Sequence, residues 1–402
     1  MEIGSDFWTY EGSLKSNNED FWNIGKDTKF TFSGRTAIYY VLDEILRNSF
    51  VKVVYMPSYV CESMIKPFSD FGLKIKYYDV YFDNGLIYDI DKNEDFDIFF
   101  AMNYFGYSKT NMGDFIKYFK QKGKIVVEDI THSLLSKKMY SEHSDYLIGS
   151  LRKCFPIISG GIAVNMNDKF KGRLKEPNKS YINIKKSAMD RKKRYIDEMS
   201  FVEEYQNDGN EKVKEGIEDS LNSLSVTNSE RNNYIFKELG SLYSKMVIEN
   251  EFININKEEK EIFLEEYKKF NAILEDDYID YKIDSESLKI LMHIDLDKIK
   301  KSRIVNAKVI YEELHENDFL QFLIKEYNGE DALMYVPIIL DHKYRDYLRN
   351  YMIKNEVYLP IHWQIENDIS RRELSLICDQ RYTEDDIREY IKTMNDFMNS
   401  WR

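Results

Sequence analysis

"DIFFAMNYFGYSKTNMGDFIKYFKQKGKIVVED", residues 97–129, places a charged, amphipathic segment between two short apolar runs. The runs "DIFFAMNYFG" (97–106) and "KIVVED" (124–129) have the length and the Ile, Val and Phe content of buried strands. Between them, "MGDFIKYFKQKG" (112–123) repeats apolar residues at helical spacing. The order strand, helix, strand predicts a βαβ unit, whose two strands lie parallel in one sheet.

The same alternation extends from this stretch in both directions. The segments are, in chain order, the helical "RTAIYYVLDEILR" (35–47), the strand-like "VKVVYMP" (51–57), the helical "ESMIKPFSDFG" (62–72), and the strand-like "KIKYYDVYF" (74–82), "SDYLIGSL" (144–151) and "GGIAVNM" (160–166). We therefore predict an α/β domain over residues 1–165, with a mostly parallel central sheet and helices on both faces.

The rest of the chain has a different composition. Residues 168–320 are rich in Lys, Glu, Asn and Ser with apolar residues at helical spacing, so this region should be mostly helical. Beyond it, "ALMYVPIIL" (332–340) and "EVYLPIHW" (356–363) have strand-like patterns, with helices between and after them. We expect a large α/β domain with a helical extension over residues 1–240, and a smaller α+β domain over residues 241–402.

Composition and charge exclude several classes of protein. The chain has 402 residues and a formal net charge of −13, which disfavours non-specific binding of nucleic acid or of anionic membranes. It has no run of 18 apolar residues, and the N-terminus lacks the pattern of a signal peptide, so we expect no transmembrane segment. The three cysteines are far apart in the sequence and show no CxxC spacing. We therefore expect a reduced, cytoplasmic protein without a structural zinc site.

Common catalytic motifs are also missing from the sequence. The six histidines form no HExxH motif, which leaves a metal centre without support. Neither a GxSxG nucleophile elbow nor a GxxxxGK[ST] phosphate loop occurs, and "SGRTAI" does not match the GxGxxG dinucleotide motif.

Three features lie where α/β sheets build their sites, at the carboxyl ends of strands or the starts of the helices that follow. Gly34 in "FSGRTAI" precedes a helix whose first N–H groups and dipole favour an anion. Asp129 ends the strand in "IVVEDITHS", and a buried carboxylate needs a partner. Lys153 in "GSLRKCFPIISGG" lies between two strands, where we expect a buried amine suited to Schiff-base chemistry.

Each feature alone has a simpler interpretation: an ordinary helix start, an aspartate that caps the next turn, and a solvated lysine. Together they match the requirements of a pyridoxal phosphate site, which needs a lysine for the imine, an acid beside the pyridine nitrogen, and donors for the phosphate. The chain presents a glycine turn, an aromatic region, Asp129 and Lys153 in that order.

In this order the motifs resemble those of the DegT/DnrJ/EryC1/StrS family of fold-type-I pyridoxal-phosphate aminotransferases, the sugar aminotransferases. The N-terminal two-fifths of the chain carries "SGRTAI", "VVYMPSYVC", "MNYFG", "VVEDITHS" and "GSLRKCFPIISGGIAV". Near the C-terminus, "VYLPIHW" and "LSLICDQRYTEDDI" resemble the family's closing strand and last helix. The resemblance implies the fold-type-I transferase fold and pyridoxal 5'-phosphate as the cofactor.

The resemblance also implies a role for three residues at the reacting end of the cofactor. Lys153 would hold the cofactor as a Schiff base and later move the proton in the 1,3-shift. Asp129 would pair with the pyridinium nitrogen and keep the ring an electron sink. His132 matches the family's Gln/His position near the ring and its phenolic oxygen.

Other residues match the family's binding positions for the phosphate and the ring face. Gly34 and Arg35 match the phosphate-binding turn through their backbone N–H groups, and Ser150 would add a hydroxyl. Tyr59 lies near the ring-stacking segment, but the matching position could equally be Cys61. The two glycines that end "PIISGG" would leave space for close approach of the backbone.

The sequence departs from the family's pattern in two places. Ser150 stands three residues before Lys153, whereas family members commonly have the serine five residues before the lysine. The glycine/asparagine/arginine motif that reaches the partner subunit's phosphate is not recognisable between residues 165 and 200. Related chains with histidine in place of the lysine dehydrate sugars, so Lys153 favours transamination.

The resemblance implies an aminotransferase that moves an amino group from a donor such as glutamate to a keto group. The acceptor would be a nucleotide-linked sugar or another precursor in surface-polysaccharide assembly, and the protein a homodimer with shared active sites. One alternative is an enzyme of the same fold that acts on a small phosphorylated keto or amino compound or catalyses elimination. A second is a non-catalytic scaffold protein.

Two C-terminal side chains have simpler structural interpretations. His362 in "LPIHW" could touch substrate, but a packed histidine at a strand end is the simpler expectation. Arg381 in "DQRY" is expected to fix the last helix rather than to bind a carboxylate.

Overall fold

The largest sheet of the molecule has eight strands. A computed structural model describes residues 2–110, 112–197, 258–363 and 367–399, and the element labels refer to these residues. The strands of all the sheets in the described residues are β1 (Ile3–Gly4), β2 (Asp27–Thr31), β3 (Val53–Pro57), β4 (Lys74–Phe82), β5 (Leu86–Asp89), β6 (Ile98–Met102), β7 (Ile125–Asp129), β8 (Tyr146–Ser150), β9 (Gly161–Asn165), β10 (Leu320–Phe322), β11 (Val336–Leu340), β12 (Val357–Tyr358) and β13 (Glu373–Leu376). Across the large sheet the order is β2-β9-β8-β7-β6-β3-β4-β5.

The large sheet is mostly parallel, which confirms the predicted architecture. Strands β4, β3, β6, β7 and β8 run parallel to one another, β9 is antiparallel to β8 and β2, and β5 is antiparallel to β4. In the βαβ unit predicted over residues 97–129, Phe99 lies opposite Val126 and Met102 opposite Asp129. The chain reverses its direction of strand addition between β3 and β6, and ligands of α/β sheets bind at such a point.

Eleven α-helices occur in the described part of the chain, and several of them pack on the large sheet. They are α1 (Glu19–Trp22), α2 (Gly34–Asn48), α3 (Glu62–Asp70), α4 (Gly113–Gln121), α5 (179–197), α6 (258–276), α7 (Ser285–His293), α8 (Leu296–Glu313), α9 (His342–Lys354), α10 (Asp368–Arg372) and α11 (Glu384–Asn399). Helix α2 begins where the Ser33 hydroxyl accepts the backbone N–H of Thr36 (3.1 Å), and it packs on β8 and β9.

The C-terminal residues form a second, antiparallel sheet in the order β10-β11-β13. Phe322 lies opposite Ile338, and Ile338 lies opposite Leu374. Helix α9 packs on β11 and β13, and α11 packs on α8. This arrangement agrees with the predicted α+β character of the C-terminal part.

The described residues of the predicted helical region are mostly helical, in α5 to α8. Residues 198–257 lie outside the described residues, and so does the domain boundary predicted between residues 240 and 241. The chain divides into two compact units, Asn183–Asn271 and Glu2–Ile182 together with Ala272–Arg402. All candidate site residues belong to the second unit.

The strand predicted over residues 356–363 was wrong for most of its length. Only β12 forms there, and it pairs in parallel with β1. Pro360 has no N–H to donate, the N–H of His362 donates to the carboxylate of Glu373 (3.0 Å), and Trp363 has a left-handed backbone (φ 48°). The residues that follow β12 therefore form a loop.

Candidate functional site

Asp129 occupies the carboxyl end of β7, between β6 and β8. Its side chain is 3% exposed, and Oδ1 accepts the backbone N–H of Thr131 (2.8 Å). Burial raises the pKa of Asp129, although hydrogen bonds from Thr131 and the positive charge of Lys153 act in the opposite direction. A positively charged ring nitrogen beside Asp129 would further stabilise its ionised form.

His132 follows Asp129 by three residues and is 2% exposed. Its Nδ1 accepts the backbone N–H of Phe105 (2.9 Å), so the neutral ring carries its proton on Nε2. Burial, followed by the charges of Lys153 and His362, lowers the pKa of His132 well below its usual range. The buried Nε2 has no hydrogen-bond partner among the described residues, so a neutral N–H donor is available to a ligand.

The turn after β6 holds His132 in place. Phe105 has a left-handed backbone (φ 58°), and its ring centroid lies 5.4 Å from that of His132. Gly106 follows with φ +93°, and a Cβ there would lie 2.6 Å from the carbonyl oxygen of His132. The turn formed by the "MNYFG" motif therefore positions the side chain of His132, a role that the motif alone did not indicate.

Lys153 ends a 3₁₀ turn, Leu151–Lys153, that follows β8 directly. The expectation that the sheet buries this amine was wrong, because the turn carries Lys153 out of the strand and leaves its side chain exposed. Its Nζ makes no hydrogen bond or ion pair with the described part of the chain. The charge of Lys153 nevertheless acts on both Asp129 and His132, so the three groups share one site.

The first turn of α2 meets the end of β8 at Gly34 and Ser150. A Cβ at Gly34 would lie 3.0 Å from the Cβ of Ser150. The backbone N–H of Ser150 donates to Oγ1 of Thr131 (2.9 Å), which ties this strand end to the residues after Asp129. The first N–H groups of α2, at Gly34 and Arg35, have no acceptor within the helix, and the helix dipole favours an anion there.

Two arginines place positive charge near this helix start. The Arg35 guanidinium donates to the carbonyl of Leu274 and lies 5.4 Å from the ring centroid of Tyr278. Burial lowers the pKa of Arg152 to about 10; the charge of Asp6 opposes this shift, and the charge of Arg35 adds to it. An anion bound between these side chains would relieve the repulsion between the two guanidinium groups.

The glycines of "PIISGG" allow the close approach that the sequence predicted. Gly161 pairs with Thr31 on one side and with Ser150 on the other. A Cβ at Gly161 would lie 2.2 Å from the carbonyl oxygen of Ser33, the capping residue of α2. Only a residue without a side chain therefore lets β9 pass beneath the start of α2.

Tyr59 belongs to an aromatic layer behind the site. Its ring stacks on Tyr104 at 5.4 Å and meets Trp363 edge-on at 4.5 Å, and its hydroxyl oxygen lies 3.5 Å from Oε2 of Glu373. Trp363 in turn lies parallel to the ring of His132, with centroids 5.8 Å apart. The structure thus places Trp363 between Tyr59 and His132.

Cys61 and Arg381 make contacts that stabilise the fold. The Sγ of Cys61 lies 2.9 Å from Oγ of Ser63 at the start of α3. Arg381 forms an ion pair with Asp379 (2.7 Å) and donates to the carbonyl of Gly4 (3.2 Å). Arg381 therefore fixes the segment before α11, as expected.

Like Trp363, His362 is a C-terminal residue that the structure brings to the site. Its ring centroid lies 5.9 Å from that of His132 and 5.6 Å from that of Phe105. The sequence favoured a packed role at a strand end, whereas the side chain belongs to a loop and joins the cluster around His132. The motif "LPIHW" was the signal that could have assigned it to the site.

The described residues contain no group of three or more His, Cys, Asp or Glu side chains that could hold a metal ion. None of the helices in the described ranges is long and apolar enough to cross a membrane.

Solved structures share this fold at low sequence identity. TlmJ, an aminotransferase from Streptoalloteichus hindustanus, is 10% identical with a TM-score of 0.58 over 100% of both chains. PseC, a Helicobacter pylori aminotransferase involved in the biosynthesis of pseudoaminic acid, is 10% identical with a TM-score of 0.56, over 98% of this chain and 99% of that one. NtdA from Bacillus subtilis, solved with the bound cofactor PMP, is 10% identical with a TM-score of 0.50, over 96% and 78%.

The fold of this chain is therefore the one that these aminotransferase structures share, the fold-type-I transferase fold that the motifs predicted. No family model matches the sequence, and no curated protein matches it.

The donor set at this edge of the sheet fits pyridoxal phosphate. The Nζ of Lys153 has no partner in the described chain, and the buried Nε2–H of His132 has none either. Asp129 is a buried carboxyl group whose ionised form a pyridinium would stabilise. Gly34 and Ser150 are in contact at the N-terminus of a 15-residue helix, where a phosphate is favoured.

Proposed function

We propose that this chain is a pyridoxal-phosphate-dependent aminotransferase. The observation that carries the proposal is the unpartnered amine of Lys153 beside the buried Asp129 and the neutral His132. The three solved structures support it, since two are described as aminotransferases and the third holds PMP.

Each group at the site has a distinct task in this proposal. Bound pyridoxal phosphate supplies an electron sink for the 1,3-proton shift. Lys153 would bind the cofactor covalently and, once released, would take the proton from the substrate carbon and deliver it to the carbon at the other end of the 1,3-shift. Asp129 keeps the ring nitrogen protonated, and His132 donates its Nε2–H to the phenolic oxygen. The first turn of α2, with Gly34, holds the phosphate.

The acceptor in this proposal is a keto group on a nucleotide-linked sugar or a related precursor of surface polysaccharides, and the amino donor is an amino acid such as glutamate. The motifs that resemble the sugar aminotransferases support this assignment. They also support a cytoplasmic homodimer with shared active sites, with small molecules rather than nucleic acid or membranes as its partners.

The test is covalent capture of the cofactor at Lys153. Protein supplied with pyridoxal phosphate should show a visible absorbance band, and borohydride should fix the cofactor on the peptide that contains Lys153. Lys153→Ala should lose both signals because, among the residues that the structure describes, Lys153 is the lysine whose charge acts on Asp129 and His132. Lys169→Ala, at an exposed lysine after β9, is the matched control and should keep both. Wild-type protein with neither signal would refute the proposal.

Substrate identity is tested by the two half-reactions. Amino donors, glutamate first, should convert the bound cofactor to its pyridoxamine form, with loss of the visible band. Keto-sugar nucleotides or small phosphorylated ketones should then restore the band. Restoration by phosphorylated ketones but not by keto-sugar nucleotides would contradict the sugar assignment and leave the aminotransferase assignment standing.

A further inference from the structure

Glu373 is a fully buried carboxylate that lies next to the site and has no assigned role. It begins β13 and is 0% exposed. Oε2 accepts the backbone N–H of His362 (3.0 Å), and Oε1 accepts the hydroxyl of Ser375. A buried carboxylate is costly unless such donors and a nearby cation offset its desolvation. Oε1 also lies 3.5 Å from Nδ1 of His362.

The hydroxyl of Ser375 determines which nitrogen of His362 carries the proton. Its single hydrogen is donated to Glu373, because a carboxylate only accepts. The same oxygen lies 3.1 Å from Nδ1 of His362, so this contact needs an N–H on Nδ1. When the ring of His362 is neutral, its lone pair is therefore on Nε2. No hydrogen bond from the described residues reaches that nitrogen.

His132 and His362 consequently form opposite tautomers in adjacent rings. His132 is protonated on Nε2 because its Nδ1 accepts the N–H of Phe105, and it can only donate from Nε2. In its neutral form His362 is protonated on Nδ1 and can only accept at Nε2. The two ring centroids are 5.9 Å apart. The site thus offers one imidazole as a hydrogen-bond donor and one as an acceptor. The N–H of Phe105 orients the first, and the hydroxyl of Ser375 orients the second.

We propose that His362 contacts the substrate, its Nε2 accepting a hydrogen bond from a substrate O–H or N–H group, and that Glu373 and Ser375 are positioning residues that hold it in the Nδ1–H tautomer. The inference rests on the proposed function. The substrate group is either a hydroxyl of the keto acceptor or the amino group of the donor, and both present the same hydrogen-bond donor to Nε2.

The tautomer is tested directly by 15N spectra of full-length protein labelled at its six histidines, recorded with and without pyridoxal phosphate. His132→Gln and His362→Gln identify the two signals. The proposal requires a protonated Nδ1 in His362 and a protonated Nε2 in His132. Ser375→Ala should raise the share of Nε2–H in His362 and leave His132 unchanged. A wild-type His362 protonated on Nε2 alone would overturn the proposal.

The contact with substrate is tested by variants that distinguish the contribution of the Nε2 acceptor atom from that of the ring. His362→Phe keeps a flat ring without the nitrogen, and we expect KM to rise about tenfold for the substrate that His362 binds, with a smaller change in kcat. His362→Gln places an amide oxygen near the position of Nε2 and should restore much of the affinity. His342→Phe, at an exposed histidine at the start of α9, is the matched control.

The two half-reactions identify the source of the donor group. A raised KM only for glutamate assigns the contact to the amino group, and a raised KM only for the keto substrate assigns it to a hydroxyl. Cofactor affinity, measured from the visible band, should remain unchanged in His362→Phe. If both KM values are unchanged while Lys153 still binds the cofactor, this inference fails and the proposed function stands. If Lys153 does not bind the cofactor, the proposed function itself fails.

Discussion

Glu128 and Asp129 are adjacent in β7, and their side chains point to opposite faces of the sheet. Among the described residues, the Asp129 side chain accepts hydrogen bonds from Thr131 alone, whereas Glu128 accepts hydrogen bonds from the Asn103 amide (2.7 Å), the Ser141 N–H (2.9 Å) and the Ser144 hydroxyl (2.6 Å). The partners of Glu128 are all protein groups. Glu128 thus has a structural role next to the site, whereas the carboxyl group of Asp129 can still accept hydrogen bonds from a ligand.

The pKa of Glu128 makes stability depend on pH. Burial raises this pKa from 4.5 to about 7, although hydrogen bonds from Ser144, Ser141 and Asn103 lower it. The folded state therefore binds more protons than the unfolded state between these two values. The stabilisation is complete below pH 4.5 and is lost as the pH rises through 7, by about 3 kcal/mol in total.

Urea unfolding at pH 5 and pH 8 measures this loss. In Glu128→Gln the group does not titrate, so the free energy of unfolding should fall less between the two pH values than it does in wild type. Glu142→Gln, at an exposed glutamate in the following loop, should behave as wild type. An equal fall in wild type and Glu128→Gln would contradict the assigned pKa.

At the residue scale, the sequence predicted the candidates that follow strongly patterned elements. Gly34, Asp129, His132 and Lys153 each lie next to an apolar strand or a capped helix, so their neighbourhood could be inferred from the order of segments. Trp363 could not be found this way. Its contact with His132 joins positions more than 200 residues apart and is set by tertiary packing.

The passage of β9 beneath α2 is the decisive contact at the scale of elements. Gly161→Ala would put a methyl group against the backbone of Ser33, which cannot move without shifting the cap of α2. We expect a loss of about 2–4 kcal/mol in the free energy of unfolding. We also expect weaker binding of pyridoxal phosphate, measured by titration of the visible band.

Gly149→Ala is the matched control for this substitution. It lies in the neighbouring strand β8, but its added Cβ would meet only side-chain methyl and methylene groups of Ile162 (3.2 Å) and Ile130 (3.3 Å), apart from more distant backbone. These side chains can give way, so the loss should be smaller. If Gly161→Ala and Gly149→Ala lowered the free energy of unfolding equally, the contact between Gly161 and Ser33 would not be decisive for stability.

Elements were predictable where burial gave a clear pattern. The apolar cores of β6, β7 and β9 match their predicted runs. The run "KIKYYDVYF" coincides with β4 because of its β-branched and aromatic residues, although only Tyr78 and Val80 of this strand are buried. The edge strands β2 and β5 were missed because they are mostly half-buried or exposed and carry polar residues, as in "DTKFT". The strand predicted over residues 356–363 does not form beyond β12, because the carboxylate of Glu373, rather than a neighbouring strand, accepts the N–H of His362.

At the scale of the whole molecule, Arg381 joins the two ends of the described chain. Besides Asp379, its guanidinium reaches the carbonyls of Gly4, Ser5 and Asp6 (each 3.2 Å), and β1 pairs with β12 close by in sequence. Although burial opposes it, the Arg381 guanidinium holds the pKa of Asp379 below its usual range. The N-terminal residues are thereby anchored to a buried ion pair.

Arg381→Ala should leave Asp379 buried without this cation and lower the free energy of unfolding by about 3–5 kcal/mol. The midpoint of thermal unfolding, followed by circular dichroism, measures the loss. Arg388→Ala, at a more exposed arginine of α11, is the control and should cost much less. Similar midpoints for the two variants would refute the anchoring role of Arg381.

All eight strands of the large sheet lie between Asp27 and Asn165, whereas His362 and Trp363 are made nearly 200 residues later. At a synthesis rate of about 5–20 residues per second, roughly ten to forty seconds separate the two parts of the chain on the ribosome. During that interval a nascent chain already contains Gly34, Asp129 and Lys153, but not the loop that packs over His132. If the chain binds pyridoxal phosphate as proposed, the order of synthesis would therefore leave Lys153 accessible to the cofactor before the C-terminal half of the protein exists.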